Sequence, residues 1–595
     1  MIRTPLRPLA RILEARRNGE NPDAIERENI RIRHEQMRDR ARVRAEGRLL
    51  VMGVLFFCAF TVVGARMGHL AASEPQEPRA QAAGASIVAQ RADIVDRHGR
   101  VLATNMETHS LYAHPQQMIE PERAAAALAE IFPDLDEKRL LKDFTGERKF
   151  LWVRKKLSPE QKQLVHDIGE PGLLFGPREM RLYPNGPLAA HVLGGSSFGR
   201  EGVHSAEVIG TAGIEKYLDE TLRDPARKGA PLELSLDLTV QAAMERVLYG
   251  GMKLMNAKGA AAVLMDVHTG EVISIASLPD FDPNQRPRAA IEGNPSDSPL
   301  FNRAVQGVYE LGSTFKIFTA AQAMELGLVN AHTVIDTKPP MKVGGHRIGE
   351  FNGKNYGEQT VEGIIVHSSN RGTGKLALAI GPKRQQDFLK SLGFFEPTPF
   401  EIVEAKGGAP LLPQRWTDLS TVTISYGHGI STSPLHLAAG YSAIANGGRV
   451  VKPTLLKQRG HQMGERVLSE ETAAAARVML RKVVTEGTAS FGEVPGYHVG
   501  GKTGTADKPK ERGGGYYKDK VIATFATMFP AHKPEYVLIV TLDEPVETSG
   551  SKPRRTAGWT AVPVAAEMIG RIAPLLGLRP QVEPGQVAGI VLTGN

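Results

Sequence analysis

The chain of 595 residues contains one cysteine, Cys58, so an intrachain disulfide, a thiolate zinc cluster and a Cys-x-x-Cys redox pair are all excluded. None of the 17 histidines falls in a His-Glu-x-x-His pair, which removes the zincin pattern. No metal and no other cofactor is expected. Gly and Pro, 62 and 39 residues, are scattered without a period and together stay below the low-complexity range of roughly 25–30%. Collagen-like and repeat architectures are thereby set aside. Charge of one sign is also lacking over most of the length. The net +8 is concentrated in residues 1–48, where thirteen Arg face eight Asp or Glu, and the other 547 residues are nearly balanced. What remains, 41% hydrophobic and 23% charged residues, is globular composition, long enough for three or four units of about 100–200 residues.

Directly after Arg48 comes an uncharged run, Leu49–Ala65, closed by Arg66. Its length is at the short end of the about 17–25 residues that span a bilayer as a helix. A cleaved signal peptide fits poorly, because the polar leader is long and the nearest Ala-x-Ala, Ala80-Gln81-Ala82, lies far beyond the run. The reading is an uncleaved anchor, residues 49–66, with the Arg-rich arm, residues 1–48, in the cytoplasm and the bulk of the chain outside by the positive-inside rule. Topology accounts for these arginines without a partner, so no nucleic acid is expected. Residues 67–90, rich in Ala, Gln, Glu and Pro, read as a linker.

Residues 91–228 show mixed texture, with short extended pieces at 110–113 and 150–153 and helical periodicity at 121–131 and 159–168. From about residue 229 the elements lengthen. Strands at 260–265 and 272–276 flank a Thr269-Gly270 turn, helices are expected at 313–326, 435–445 and 470–484, the last capped by Ser469, and paired apolar strands follow at 521–529 and 536–542 before a final helix at 562–576. Strands at both ends of this segment with helices between them predict an α+β domain, residues 229–577, built on one large, mainly antiparallel sheet covered by helices. Residues 578–595 form a tail.

Three polar motifs stand out. Ser313-Thr314-Phe315-Lys316 opens a helix after Gly312. Residues i and i+3 share a helical face, so the lysine amine can serve as the base that a serine alcohol needs to become a nucleophile. Ser549-Gly550-Ser551-Lys552 matches the same pattern but sits in a Gly/Ser/Pro loop. Ser368-Ser369-Asn370 offers a hydroxyl and a carboxamide that could relay a proton and hold an amide, or simply cap a helix. His367 beside it is read as structural. Lys502-Thr503-Gly504-Thr505, with Gly500 and Gly501, reads as a strand edge on which an extended peptide acid docks, the glycines allowing close approach. Two decoys overlap these. Gly496 to Thr503 satisfies the Walker A pattern, yet Pro495 before it and Gly504, Pro509 and Gly513-Gly514-Gly515 after it leave no helix for a phosphate. Gly195-Ser196-Ser197-Phe198-Gly199 matches a nucleophile elbow but is read as a loop.

Ser-x-x-Lys, Ser-x-Asn and Lys-Thr-Gly in this order resemble the signature of penicillin-recognising serine enzymes. The whole from the anchor to about residue 575 resembles a class B penicillin-binding protein, with further matches at Arg91 to Gly99, Gly213-Ile214-Glu215, Met265 to Glu271, Phe281 to Asn284 and Ser425 to Gly429. The Tyr309-Glu310-Leu311-Gly312 lead-in and Leu542-Asp543-Glu544-Pro545 are more similar to the division-specific branch, although that family usually has Pro where Leu311 stands and Gly where Ala92 stands.

The resemblance implies a periplasmic, inner-membrane peptidoglycan D,D-transpeptidase of the septal wall and a target of β-lactam antibiotics, on the penicillin-recognising transpeptidase fold with a non-catalytic, dimerisation-type pedestal at residues 91–228. It implies that Ser313 attacks the penultimate D-Ala carbonyl of a peptidoglycan stem peptide, that Lys316 takes its proton, that Ser368 relays it and that Asn370 orients the peptide. Lys502 would supply positive potential, Thr503 and Thr505 would bind the substrate carboxylate beside Gly504, and the backbone N–H groups of Ser313 and Thr505 would form the oxyanion hole. Implied partners are a glycan polymerase and other division membrane proteins. An elongation-branch transpeptidase, a penicillin sensor or β-lactamase, and a non-enzymatic division scaffold are the alternatives.

Overall fold

The computed structural model describes residues 7–72, 91–201, 206–289, 291–462, 464–510 and 514–581. Most of the expected linker, including Ala80-Gln81-Ala82, most of the C-terminal tail and Gly513 lie outside the described residues. The chain divides into two compact units, one of residues 1–77, 112–153 and 164–174, the other of residues 78–111, 154–163 and 175–595.

In the first unit, helix α1 (Arg7–Arg17) turns through Gly19 into helix α2 (Pro22–Ala72), with the two packed together at Ala15. The basic arm from residue 22 onward and the apolar run are thus one unbroken helix of 51 residues. Its stretch Ala45–Met67 is long and apolar enough to cross a membrane, and its side chains are exposed. Helices α3 (Pro121–Ile131) and α4 (Glu137–Phe144) pack as a pair, the second capped by Asp136 accepting from the Arg139 N–H. Tyr112, Phe150 and Trp152 form an aromatic cluster with centroid separations of 4.9–5.9 Å.

The second unit is organised by a five-stranded antiparallel sheet. Its strands are β1 (Gly259–Asp266), β2 (Val272–Leu278), β3 (Gly500–Pro509), β4 (Tyr516–Phe529) and β5 (Tyr536–Asp543), in the order β3-β4-β5-β1-β2. Every residue of β2, and every residue of β1 except Asp266, is buried. Such continuous burial requires cover on both faces, which explains why these strands read as apolar runs and not as alternations. Helices α5 (Leu238–Leu254), α6 (Lys316–Glu325), α7 (Asn370–Ile380), α8 (Pro434–Ala445), α9 (Glu470–Thr485) and α10 (Ala561–Leu575) supply the remaining core: α5 and α10 pack on each other and on the sheet, as does α8, while α9 packs on β3. Among the described residues strand β3 has a sheet partner on one side alone, so the sheet ends at the Lys-Thr-Gly motif.

The residues 91–100 motif also has a structural account within this unit. Ile94 pairs antiparallel with Ala103 and parallel with Leu232. Arg91 Nε donates to Glu215 Oε2 at 2.6 Å and Nη1 to Asp219 Oδ1 at 2.7 Å, while Arg181 Nε donates to the other oxygen of Glu215 at 2.7 Å. The Gly195–Gly199 segment, expected as a loop, is instead part of a strand, Gly195–Glu201, in a hairpin with Ala206–Ala212. Nothing there forms a strand-to-helix elbow.

Candidate active site

Ser313 stands at the entry of α6. The expected helix from 313 begins as a 3-10 turn, Gly312–Phe315, and becomes α-helical at Lys316. The turn is fixed by close backbone approaches. Gly312 has φ +58°, and a Cβ at Gly427, itself at φ +78°, would lie 2.1 Å from the Gly312 carbonyl oxygen. A Cβ at Gly504 would lie 2.2 Å from the Leu311 carbonyl oxygen. This corrects the expectation drawn from the β3 glycines. The side chain missing at 504 makes room for the serine turn, and those missing at 500 and 501 make room for Ala531 and for the Ala526 carbonyl, so none of the three is an opening left for a peptide.

Lys316 and Lys502 are both fully buried, at 0% exposure, and both reach one hydroxyl. Lys316 Nζ donates to Ser368 Oγ at 3.1 Å and to the Ser368 carbonyl oxygen; Lys502 Nζ donates to Ser368 Oγ at 2.9 Å. The Lys316 amine thus bonds Ser368, 52 residues away in sequence, and not Ser313. Ser368 holds this position with φ +63°, a strained value for a residue other than glycine. Desolvation in this site strips the lysines of their usual basicity. The Lys316 amine is held well below its ordinary range, first by burial and then by the charge of Lys502, with Glu350 acting the other way. Burial brings the Lys502 amine down to about 7.

The Ser-Ser-Asn segment is also a helix cap, as its blander reading had it. The Ser369 side chain accepts from the Gly372 N–H and starts α7. Glu350, which no motif marked, organises it: its carboxylate accepts from Ser369 Oγ at 2.6 Å, Asn370 N at 2.7 Å and Arg371 N at 3.0 Å. A carboxylate at the N-terminus of α7 meets the helix dipole and the unpaired first amides. Its sequence neighbourhood, Ile348-Gly349-Glu350-Phe351, gives no local signal; only the tertiary contact reveals it. Asn370 Nδ2 donates to Gly349 O at 3.0 Å. His367 is tied to Gln359 at 2.8 Å and stacks on Tyr356.

A cavity of about 610 Å³ gathers Ser313, Ser368, Asn370, Thr503 and Thr505 on its walls. Thr503 Oγ1 is 2.7 Å from Thr488 Oγ1. Thr505 Oγ1 accepts from Ala557 N at 2.9 Å, which leaves its O–H to donate into the cavity. Trp559, with Phe491 5.0 Å from it ring to ring and the Arg554 guanidinium stacked at 3.9 Å, lines the cavity as well. Thr488, Phe491 and Trp559 were also missed in sequence, being scattered and motif-free. Among the described residues no group of His, Cys, Asp or Glu is arranged to hold a metal ion. The Walker-like Lys502-Thr503 lies inside a strand, not at a helix start, and Ser549, Ser551 and Lys552 are exposed in a bend.

A serine-bearing turn, two desolvated amines on one hydroxyl and an edge strand beside a cavity suit serine acyl transfer. Residues 260–562 match the family described as the penicillin binding protein transpeptidase domain, and residues 86–228 match the penicillin-binding protein dimerisation domain. A probable peptidoglycan D,D-transpeptidase FtsI of Caulobacter vibrioides is 35% identical over 568 residues, 93% of each chain. The peptidoglycan D,D-transpeptidase FtsI of Escherichia coli K12 is 27% identical over 82% of this chain and 84% of its own. The crystal structure of penicillin binding protein 3 from Mycobacterium tuberculosis, complexed with aztreonam, superposes with a TM-score of 0.62 at 27% identity, over 83% of this chain and 98% of that one. The chain belongs to the class B penicillin-binding proteins.

Proposed function

We propose that this protein is a division-branch peptidoglycan D,D-transpeptidase that works through an acyl-enzyme on Ser313. The observation that carries this reading is the convergence of Lys316 and Lys502 on Ser368 behind the cavity that Ser313 lines. With its basicity lowered by burial, Lys316 is available as a neutral amine to accept the Ser313 proton as the hydroxyl adds to the penultimate D-Ala carbonyl of a stem peptide. Ser368, bonded to both amines, then passes a proton to the departing D-Ala amine. The backbone N–H groups of Ser313 and Thr505 face the developing oxyanion, where preorganised donors are worth about 3–4 kcal/mol each. The substrate carboxylate is taken by Thr503 and Thr505. Its arrival favours the charged form of Lys502, so binding itself restores the positive potential there. Asn370 orients the peptide amide, and Gly504 keeps β3 close to the serine turn. Attack by an amine of a second stem releases the cross-linked product, and β-lactams acylate the same serine.

Residues 1–48 are the cytoplasmic arm, 49–66 the single inner-membrane span, 67–90 the linker, 91–228 the pedestal that contacts a glycan polymerase and other division proteins, and 229–577 the periplasmic transpeptidase. The Ser313→Ala protein is expected to keep its thermal midpoint and lose all covalent labelling by a fluorescent penicillin; labelling that persists overturns the assignment of the nucleophile. Midcell enrichment of a fluorescent fusion supports septal work, and an even sidewall signal assigns it to elongation.

A further inference from the structure

The catalytic cavity has two electrically different ends. Thr503 and Thr505, on the strand that holds Lys502, form the end that suits an anion. Asp507 lines the same cavity. Residues 503, 505 and 507 alternate along β3, so they share one face at intervals of about 6.5–7 Å. Asp507 is exposed, and its side chain has neither a hydrogen bond nor an ion pair among the described residues.

A second carboxylate, Glu310, is linked to it through Tyr516, which both carboxylates influence. Glu310 is 8% exposed and accepts from Gly429 N at 2.7 Å and from the Tyr516 hydroxyl at 3.0 Å, all through Oε1. Its other oxygen is buried with no hydrogen-bond partner among the described residues. The Tyr516 hydroxyl is pushed up from its ordinary range first by burial, then by Glu310, with Asp507 adding to the effect. Both carboxylates therefore act in the direction that favours positive charge. The neighbouring cation on β3, Lys508, is already matched to Asp543 at 2.7 Å and Glu544 at 2.8 Å. His428, whose ring lies 6.4 Å from that of Tyr516, completes this wall of the cavity.

We propose that Asp507, backed by the Glu310–Tyr516 pair and His428, is a subsite for the ammonium group of the amine-bearing residue of a stem peptide. The proposal rests on the transpeptidase reading above. A peptide whose terminal carboxylate sits at Thr503 and Thr505 and whose chain continues along the edge of β3 brings the residue before its two D-alanines beside Asp507. Cross-linking requires an amine on the stem, and donor and acceptor strands are copies of one stem. The donor thus carries an unreacted ammonium past this wall, and the acceptor approaches with the same group, which passes its proton to the Ser368–Lys316 pair before its nitrogen attacks the acyl carbonyl. The ligand chemistry is a primary ammonium from either source, and the sources differ in the step they affect.

The test uses the full chain in detergent and has two arms. In the first, D-Ala release is measured without an acceptor from two stem pentapeptides, one with the free amine on its third residue and one with that amine acetylated. If the donor fills the subsite, the free amine is preferred by about fivefold in kcat/KM, the upper range for a partly exposed ion pair; D507N removes the preference, D507K inverts it and D507E retains it. In the second arm, a thioester donor lacking the amine forms the acyl-enzyme, and its partition between water and a free-amine acceptor peptide is followed. If the acceptor fills the subsite, D507N lowers the aminolysis share about fivefold and D507E restores it. An effect in either arm supports the subsite and names its source. The proposal is overturned when both ratios are the same in D507N as in the unaltered protein, with D507S as the second variant should the first fail to fold. Both ratios are internal to each variant, and neither depends on penicillin labelling of Ser313, which tests the underlying reading separately.

Discussion

Two of the places where the larger unit completely buries charge are built in opposite ways. Around Glu215 the carboxylate meets two guanidinium groups, Arg91 at 2.6 Å and Arg181 at 2.7 Å, with the Tyr183 hydroxyl donating at 3.3 Å. Around Ser368 two amines share one hydroxyl, and Glu350 is spent on the cap of α7. The first arrangement matches its charges and specifies how residues near 91 dock on those near 215. The second leaves its charges unmatched, so the lysines give up affinity for protons and become usable as bases. Burial alone does not distinguish structure from chemistry; compensation does.

The contrast can be broken most directly at Lys316. Lys316→Met is expected to slow acylation by fluorescent penicillin by about 10³-fold, within the range for losing a general base, while leaving the thermal midpoint unchanged or higher, because a desolvated amine without a carboxylate partner is replaced by an apolar side chain. Acylation within tenfold of the unaltered rate would place the base elsewhere. Glu215→Ala should do the reverse: about 3–5 kcal/mol of stability lost on chemical denaturation, because Arg181 is left buried without its carboxylate and Arg91 keeps only Asp219. A loss below about 1 kcal/mol would erase the distinction.

The pH dependence sharpens it. The folded-state Lys502 amine is lowered to about 7 from an ordinary 10.5, so between those values the unfolded chain binds the proton that the folded chain refuses. Relative to Lys502→Met, stability therefore falls as pH drops from 10.5 towards 7, at up to about 1.4 kcal/mol per unit, and levels off below 7. Thermal melts across that window that slope the other way would show the lysine to be charge-matched. The smallest effect belongs to the second Ser-x-x-Lys: Ser549→Ala and Lys552→Ala should each change stability by less than about 0.5 kcal/mol, and labelling that collapses in either would mean the wrong serine had been chosen.

Much of this arrangement is legible along the chain. The apolar strands of the sheet, the helix after Ser313, the Ser469 cap and the long apolar helix at 45–67 all announce themselves through local periodicity, capping and hydropathy, because those signals depend on residues within a turn or two of each other. Glu350, Thr488 and Trp559 do not, since what defines them is a partner far away in sequence. The glycines of β3 show a subtler limit. Their need for close approach was evident, but the group that approaches is the turn bearing Ser313, and no sequence spacing could say so.

The amino-acid order by itself determined which residue types were available, a serine and a lysine one helical step apart, a second lysine in an extended segment and a capping serine pair, because local backbone preferences and side-chain chemistry are set by neighbours. Only the folded chain decided that the two amines meet on Ser368, that Glu350 is turned to the helix end and that Asp507 looks into the same cavity. Proton affinity follows desolvation and distance, and both come into being when remote segments pack.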